Sequence, residues 1–491
     1  MMGFSPKINL LQLKEYGTVA EVKQDIVHIT GLANCMNGQL VQIGEAESDG
    51  VMVGFDQEYA LVLVVRQKGL IKPGDKATSA IQTFTVPVGD GFIGRHVDAM
   101  AQPADGRGPI TAMGKYPIFG KSPSVLERAP LVEVFPMGNK ILDMMIPIGK
   151  GQRELIIGDR MTGKTSIATD AILMQKNTGV ICIYCCIGKA EAALSKVIEV
   201  FDQTDAWKYC TIVSATAADS MGKQYLVPYV ATSIGEYFMH EKGRDVLVVF
   251  DDLTKHAWTY RQISLLLERS PGRDAYPGDI FYLHSQLVER AGKLSVEKGG
   301  GSMTHLPIIE TLQGDVTGYI PSNTISMTDG QIYMSTALFS EGFKPAIDIG
   351  LSVSRIGSKV QWPAIRSLSG MMRLEYLNFK SLQKLTRVKA GVSAEVEKRL
   401  RRGLTVAELL KQPNNAPVPM EEQVVCLYAF REGFFDDCPP EEVQVRTKAL
   451  LTAIRTDMPE LLAELARIKE LTEDIKGRLK NEFARLRNSA I

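Results

Sequence analysis

Residues 158 to 165 read Gly-Asp-Arg-Met-Thr-Gly-Lys-Thr, which satisfies G-x-x-x-x-G-K-[ST]. The apolar run Leu155 to Ile157 precedes them and a helix-compatible stretch, Ser166 to Met174, follows. That is the strand–loop–helix setting the motif requires. Gly158 and Gly163 allow the backbone to curl so that its N–H groups face phosphate oxygens. The helix behind the loop adds the positive end of its dipole. Lys164 is spaced to reach the β- and γ-phosphates, and the Thr165 hydroxyl to take one position on an octahedral Mg2+. These residues imply a site for a nucleoside triphosphate with Mg2+.

A second element of such a site follows downstream. The run Asp245-Val-Leu-Val-Val-Phe250 ends in Asp251-Asp252. A buried strand delivering a carboxylate at its C-terminal end matches the position of metal and phosphates in an open α/β sheet. Asp251 is therefore the expected Mg2+-facing residue, acting through water. The pair Cys182 and Cys185 has C-x-x-C spacing but lies in the β-rich run Val180 to Ile187, where residues three apart point to opposite faces. Buried small hydrophobes account for it better than a metal or redox site.

The elements that must hold these residues fall into three regions. The segment 17–88 contains short β runs at Gly17 to Thr30, Leu40 to Ile43, Val51 to Phe55 and Tyr59 to Val65, separated by turn signals such as Asp49-Gly50 and Lys72-Pro73-Gly74-Asp75. Closely spaced strands of this kind suggest a small barrel. From about 90 to 360, apolar strands (Leu155–Ile157, Val180–Ile187, Tyr209–Val213, Val246–Phe250, Thr324–Met327) alternate with helical stretches, as in a mainly parallel sheet covered on both faces. Beyond about 364 the chain reads as helical. Over Pro459 to Asn488, Leu461, Leu465, Ile468, Ile475, Leu479, Phe483 and Leu486 form one stripe, read as a core face. The predicted domains are a β-barrel over 1–88, a phosphate-loop α/β domain over 89–363 and a helical domain over 364–491.

Composition narrows the function classes. Lys plus Arg and Asp plus Glu are balanced at 56 each, which gives no basis for nonspecific attraction to nucleic acid or anionic lipid. No apolar run approaches the roughly 18 residues of a membrane span, and the N-terminus has neither a signal peptide's apolar stretch nor an Arg- and Ser-rich presequence. Seven cysteines do not make a disulfide framework.

The stretches GDRMTGKTSIATDAIL, VFDDLTKHAWTYRQISLLLERSPGRDAYPGDIFYLHSQLVERA, GGGSMTHLPIIET, YIPSNTISMTDGQIYMS, GLSVSRIGS and LLKQPNNAPVPMEEQV together resemble the alpha subunits of F-type ATP synthases. The resemblance runs from about Gly17 to the C-terminus and is densest between 147 and 363. It implies a β-barrel crown, a RecA-like nucleotide domain and a helical bundle. It also implies a ring of alternating alpha and beta subunits around a gamma shaft, peripheral on the cytoplasmic face of a membrane and coupled to H+ or Na+ transport. In that family alpha subunits bind Mg-ATP without turning it over and lend an arginine to the neighbouring beta-subunit site; Arg355, in Ser-Val-Ser-Arg-Ile-Gly, matches that arginine.

Further residues carry over one by one. Asp159, Arg160, Thr162, Gly163, Lys164, Thr165 and Ser166 match phosphate-side positions, and Met161 stands where Gln is usual. Lys344-Pro345, Gln412 and Asn414 match adenine-side loops, Lys344 replacing an Arg and Asn414 a Gln. Where catalytic relatives carry Gly-Glu-Arg, with the Glu polarising water, this chain has Gly188-Lys189-Ala190, and alpha subunits usually have Gln at that lysine. A protonated amine is no general base, so the chain's own site is expected to be inert and Lys189 to neutralise phosphate charge. The turn Gly272 to Asp279 resembles the loop facing the shaft. The family's dock for the peripheral-stalk delta subunit is a longer N-terminal helical extension than the roughly 16 residues preceding the barrel here. A secretion- or flagellar-type hexameric ATPase would need a catalytic Glu at the lysine's position. A Rho-like RNA translocase would need basic and aromatic residues in the barrel. A third alternative is a structural nucleotide-binding subunit whose arginine reaches no neighbour.

Overall fold

The computed structural model describes residues 14–386 and 394–488. The N-terminal residues that bear on stalk docking lie mostly outside that range. Six strands, β1 (Lys14–Lys23), β2 (Ile26–Thr30), β3 (Gln39–Ile43), β4 (Ser48–Phe55), β5 (Ala60–Arg66) and β6 (Lys76–Thr83), close into a barrel in the order β1-β2-β5-β4-β3-β6. Alternation drives the closure: in β3 Val41 and Ile43 are fully buried while Leu40 and Gln42 are half-buried. They meet Val19, Val27, Ile29, Met52 and Val62 in the barrel's own core. Register shifts in β1, β3 and β4 supply the bulges that let short strands coil enough to close. The barrel ends at Thr83. Thr85–Val88, expected within it, leaves to pair with Gly114–Pro117.

The central sheet contains β7 (His96–Asp98), β8 (Leu155–Gly158), β9 (Ile181–Ile187), β10 (Cys210–Ala215), β11 (Asp245–Asp251), β12 (Ser302–Glu310), β13 (Gly330–Met334) and β14 (Val353–Ser354). Their order is β14-β13-β8-β12-β11-β9-β10-β7, with a ninth short strand, Gly292–Lys293, paired beside β12. Apart from that strand and β14, neighbouring pairs run parallel. Every residue of β9 is buried, Cys182, Cys185 and Cys186 included, as expected for a parallel strand covered by helices on both faces. All seven cysteines are buried and unpaired.

Two elements differ from the sequence reading. Thr324–Met327 is not a strand but the end of helix α3; helices α1 (Lys164–Met174), α2 (Leu253–Leu266) and α3 (Tyr319–Met327) belong to the central domain, and α4 (Pro459–Ile468) and α5 (Glu473–Asn488) end the described chain. Gly318 caps α3 and Pro321 occupies its first turn, where a missing N–H costs nothing, and this outweighs its β-branched residues. The strand comes three residues later, as β13. The C-terminal stripe is divided between α4 and α5, with Lys469 in the left-handed conformation (φ 62°) between them. Its leucines, Ile475 and Phe483 are nonetheless buried, and Ile468 is half-buried, so the stripe is a core face. That core is continuous with the sheet's: Ile156, Ile172, Phe343, Tyr376, Leu409 and Leu479 belong to one apolar cluster.

Candidate nucleotide site

The strands' C-terminal ends converge on one place. In register, Gly158 at the end of β8 lies opposite Glu310 of β12 on one side and Met334 of β13 on the other. A Cβ on Gly158 would stand 2.5 Å from the Met334 carbonyl oxygen, so only glycine lets the chain turn there into the loop. Gly163, at φ 98°, supplies the left-handed turn that starts α1. The loop and the start of α1 border a cleft of about 390 Å³ lined by Met161 to Ile167, Lys189, Asp251, Glu310, Met334, Phe339, Lys344 to Ala346 and Asn414.

Inside it the polar groups form a closed cluster. Lys164 is buried, and its Nζ donates to the carbonyls of Gly158 (2.8 Å) and Asp159 (2.6 Å). Burial holds its pKa below the ordinary lysine value, against the opposing pull of Glu310, Asp252 and Asp251. Thr165 Oγ1 donates to Asp251 Oδ2 at 2.8 Å, and the buried Tyr184 hydroxyl donates to the same oxygen at 2.7 Å. Lys189 Nζ sits 2.7 Å from Asp251 Oδ1 and donates to Thr165 Oγ1 at 3.0 Å. Burial works against that ammonium, but the Asp251 carboxylate outweighs it and raises the Lys189 pKa. Asp252, buried beside Asp251, has its carboxyl pushed up to about 7, by burial first and then by its neighbour's charge.

Not every expected residue faces this cleft. Asp159 turns its carboxylate to Thr311 Oγ1 (2.6 Å), Gly314 N (2.8 Å) and Thr336 Oγ1 (2.9 Å), so it pins the loop to neighbouring segments. Arg160 is exposed, lies 3.5 Å from Glu310, and lines an adjacent cleft with Trp258 and Arg261. Gln412 is turned inward: its amide donates to the Gly138 and Ala416 carbonyls, and its Oε1 accepts from Lys140 N. Its own N–H donates to the Lys344 carbonyl, which fastens the Gln412 loop to the Lys344 loop. Lys344 Nζ stands 4.9 Å over the Phe339 ring, and its peptide bond to Pro345 is cis.

Arg355 lies elsewhere. It follows β14, which pairs with β13 at Gly330 and Gln331, and its N–H donates to the Asp329 carbonyl. The cleft is at the other end of β13, at Met334. Four residue steps at about 3.3 Å put the two ends roughly 13 Å apart. The Arg355 side chain is exposed.

Glu310 and Phe339 on the cleft wall, and Tyr184 buried behind Asp251, escaped the sequence reading. Glu310 ends a strand, the same signal that singled out Asp251, but Pro307 interrupts its run and disguises it as a loop. It pairs with Lys255 at 3.1 Å. Tyr184 lies mid-strand, and Phe339 is on a short helix, Thr336–Ser340. Neither position carries a local signal.

A glycine-turned loop, a buried lysine and a hydroxyl–carboxylate pair at the C-terminal ends of parallel strands define a phosphate-loop nucleotide-binding protein, here joined to a barrel and a helical region. Family comparison matches residues 138–354 to the nucleotide-binding domain of the ATP synthase alpha/beta family and residues 361–486 to the C-terminal domain of the ATP synthase alpha/beta chain. Among relatives, the ATP synthase subunit alpha of Aquifex aeolicus is 42% identical over 469 residues, 96% of this chain and 93% of the relative. That of Clostridium botulinum is 45% identical over 464 residues (94% and 92%), and that of Petrotoga mobilis 42% over 480 residues (97% and 95%). The chain belongs to the ATP synthase alpha/beta family, with its similarity to the alpha subunits of F-type ATP synthases. No helix among the described residues is long and apolar enough to cross a membrane.

Proposed function

We propose that the chain is a noncatalytic alpha subunit in the head of an F-type ATP synthase, binding ATP or ADP in its own cleft and lending Arg355 to an adjoining beta subunit's site. The observation that carries this reading is the cation at Lys189. Where hydrolysis needs a carboxylate to draw a proton from water, this cleft has an ammonium 2.7 Å from Asp251. Glu310, the other carboxylate, is engaged by Lys255 and Arg160. Lys164 and the start of α1 would hold the phosphates, and Phe339, Lys344, Pro345 and Asn414 border the remainder of the cleft, where a base and ribose would lie.

The exposure of Arg355 and its distance from its own cleft support action in trans. A planar, permanently charged guanidinium suits the charge that spreads over a γ-phosphoryl group in transfer. The exposed 3-10 turn at Arg273–Ala275 would face the gamma shaft, with beta subunits on either side and the peripheral stalk above. The whole would sit peripherally at the cytoplasmic face of the membrane, coupled to H+ or Na+ movement.

A Mg2+ ion held on Thr165 and Asp251, directly or through water, does not fit the donor set as it stands. The ion requires six oxygens at about 2.0–2.1 Å, and the space between these two oxygens is held by the Lys189 ammonium.

The test is to co-purify the chain with its beta and gamma partners and compare ATPase rates of the wild-type and Arg355→Ala complexes, with the chain alone as a blank. Silence alone, activity in the complex and a loss of about 10³-fold or more in the variant are the expected results. Turnover by the isolated chain would overturn the noncatalytic assignment, and an unchanged rate in the variant would overturn the donated arginine.

A further inference from the structure

Building on the nucleotide-site reading above, we propose that Lys189 is a tethered substitute for the divalent cation, so that this cleft takes ATP without Mg2+. Three observations converge. First, the ammonium is in hydrogen-bonding range of both groups that would hold the ion, 2.7 Å from Asp251 Oδ1 and 3.0 Å from Thr165 Oγ1. Second, the carboxylate is already satisfied: Oδ1 by Lys189, Oδ2 by the Thr165 hydroxyl at 2.8 Å and the Tyr184 hydroxyl at 2.7 Å. Third, the pair is enclosed, with the Asp251 side chain 1% and the Lys189 side chain 19% exposed. A metal would have to displace the ammonium from a buried partner and then remain beside it.

The geometry also gives the ammonium a way to do the ion's work. Lysine has three N–H donors and no acceptor. Two are taken by Asp251 and Thr165, which leaves the third for a phosphate oxygen in the cleft. Lys164 lines the same cleft and supplies a second positive charge. A triphosphate held by the loop would meet the Lys164 and Lys189 ammonium groups together, and the neutralisation that Mg2+ supplies in a phosphate-loop site would come from the protein itself.

The experiment is calorimetric titration of the full chain with ATP, in excess Mg2+ and in excess EDTA, for wild type, Lys189→Gln and Lys189→Met. For wild type the two dissociation constants should agree within about threefold; for either variant EDTA should weaken binding by at least about tenfold, a coupling of ordinary size between two ligands. If wild-type binding itself falls about tenfold or more in EDTA, the substitution is overturned while the nucleotide site stands. If the variants bind equally well with and without metal, the role is not that of Lys189 and the inference fails on that point. A wild-type chain that binds no ATP under either condition overturns the nucleotide-site reading and this inference together. The wild-type comparison alone decides the matter should neither variant fold.

Discussion

Asp170 offers a direct test of how the loop carrying Asn414 and Asn415 is fastened. It lies on α1, 3% exposed, and its Oδ1 accepts a 2.7 Å hydrogen bond from Asn415 N, next to the cleft-lining Asn414. Burial pushes its carboxyl up to about 7 from an ordinary 3.8, and that single hydrogen bond opposes the rise without cancelling it. Between about pH 4 and 7 the folded chain therefore keeps a proton that the unfolded chain has released. More protons bound in the folded state means that stability falls as pH rises through this window and levels off above it. At about 1.4 kcal/mol per pH unit, three units set a ceiling of about 4 kcal/mol, and relaxation around an ionised carboxylate brings this to about 2–4. Asp170→Asn keeps the acceptor oxygen and removes the titration. In urea denaturation of the full chain, the variant should lie within about 1 kcal/mol of wild type at about pH 4.5 and exceed it by about 2–4 kcal/mol at about pH 8. Parallel pH profiles for the two proteins would refute the argument, because they would mean that Asp170 carries no proton the unfolded chain lacks.

Two other substitutions test the scaffold beneath the site. Gly158→Ala drives a methyl group to 2.5 Å from a backbone oxygen and 2.7 Å from Met334 Cβ, so it should cost about 1–3 kcal/mol and displace the phosphate loop. A lower melting temperature together with weaker ATP binding by calorimetry is expected, and loss of neither would contradict the packing. Arg290 is 1% exposed and gives Nε and Nη2 to the two oxygens of Glu236 at 2.7 Å each, with Nη1 on the Ile118 carbonyl. Glu236→Ala strands that guanidinium and should lower stability by about 3–5 kcal/mol in urea, whereas the double change Glu236→Leu with Arg290→Met should recover most of it.

What the sequence made legible follows from how local each signal is. The phosphate loop and Asp251 each carry motif and context within a dozen residues, and both lie on the cleft. Side-chain direction is another matter. Asp159 and Arg160 sit inside the motif, yet the first is captured by Thr311, Gly314 and Thr336, partners more than 150 residues away, and the second faces the adjoining cleft. Gln412 likewise matches an adenine-side position but spends its amide on Gly138 and Ala416, a choice made by tertiary packing. The break between α4 and α5 is hidden because the apolar spacing continues across it and the left-handed residue is a lysine, not the glycine that would mark a helix end. Arg355 has no local signal at all. Only the resemblance singles it out.

Lys189 joins both levels of the argument. Its type is visible in the sequence and already speaks against proton abstraction, but only the fold brings it onto Asp251 and Thr165 across two strands. A cation buried there cannot both hold that carboxylate and leave it free for a metal, and among the described residues no other side chain reaches Asp251 with positive charge at such range. Strand β13 then sets the division of labour under the proposed function. One end closes this cleft at Met334, while the other pairs with β14 and starts Arg355 outward from the far side. Under that proposal, roughly 13 Å of strand separates Arg355 from the nucleotide its own chain would bind. A phosphoryl group served by Arg355 would then belong to a neighbour, and a subunit that holds its own nucleotide without cleaving it would lose nothing by that separation.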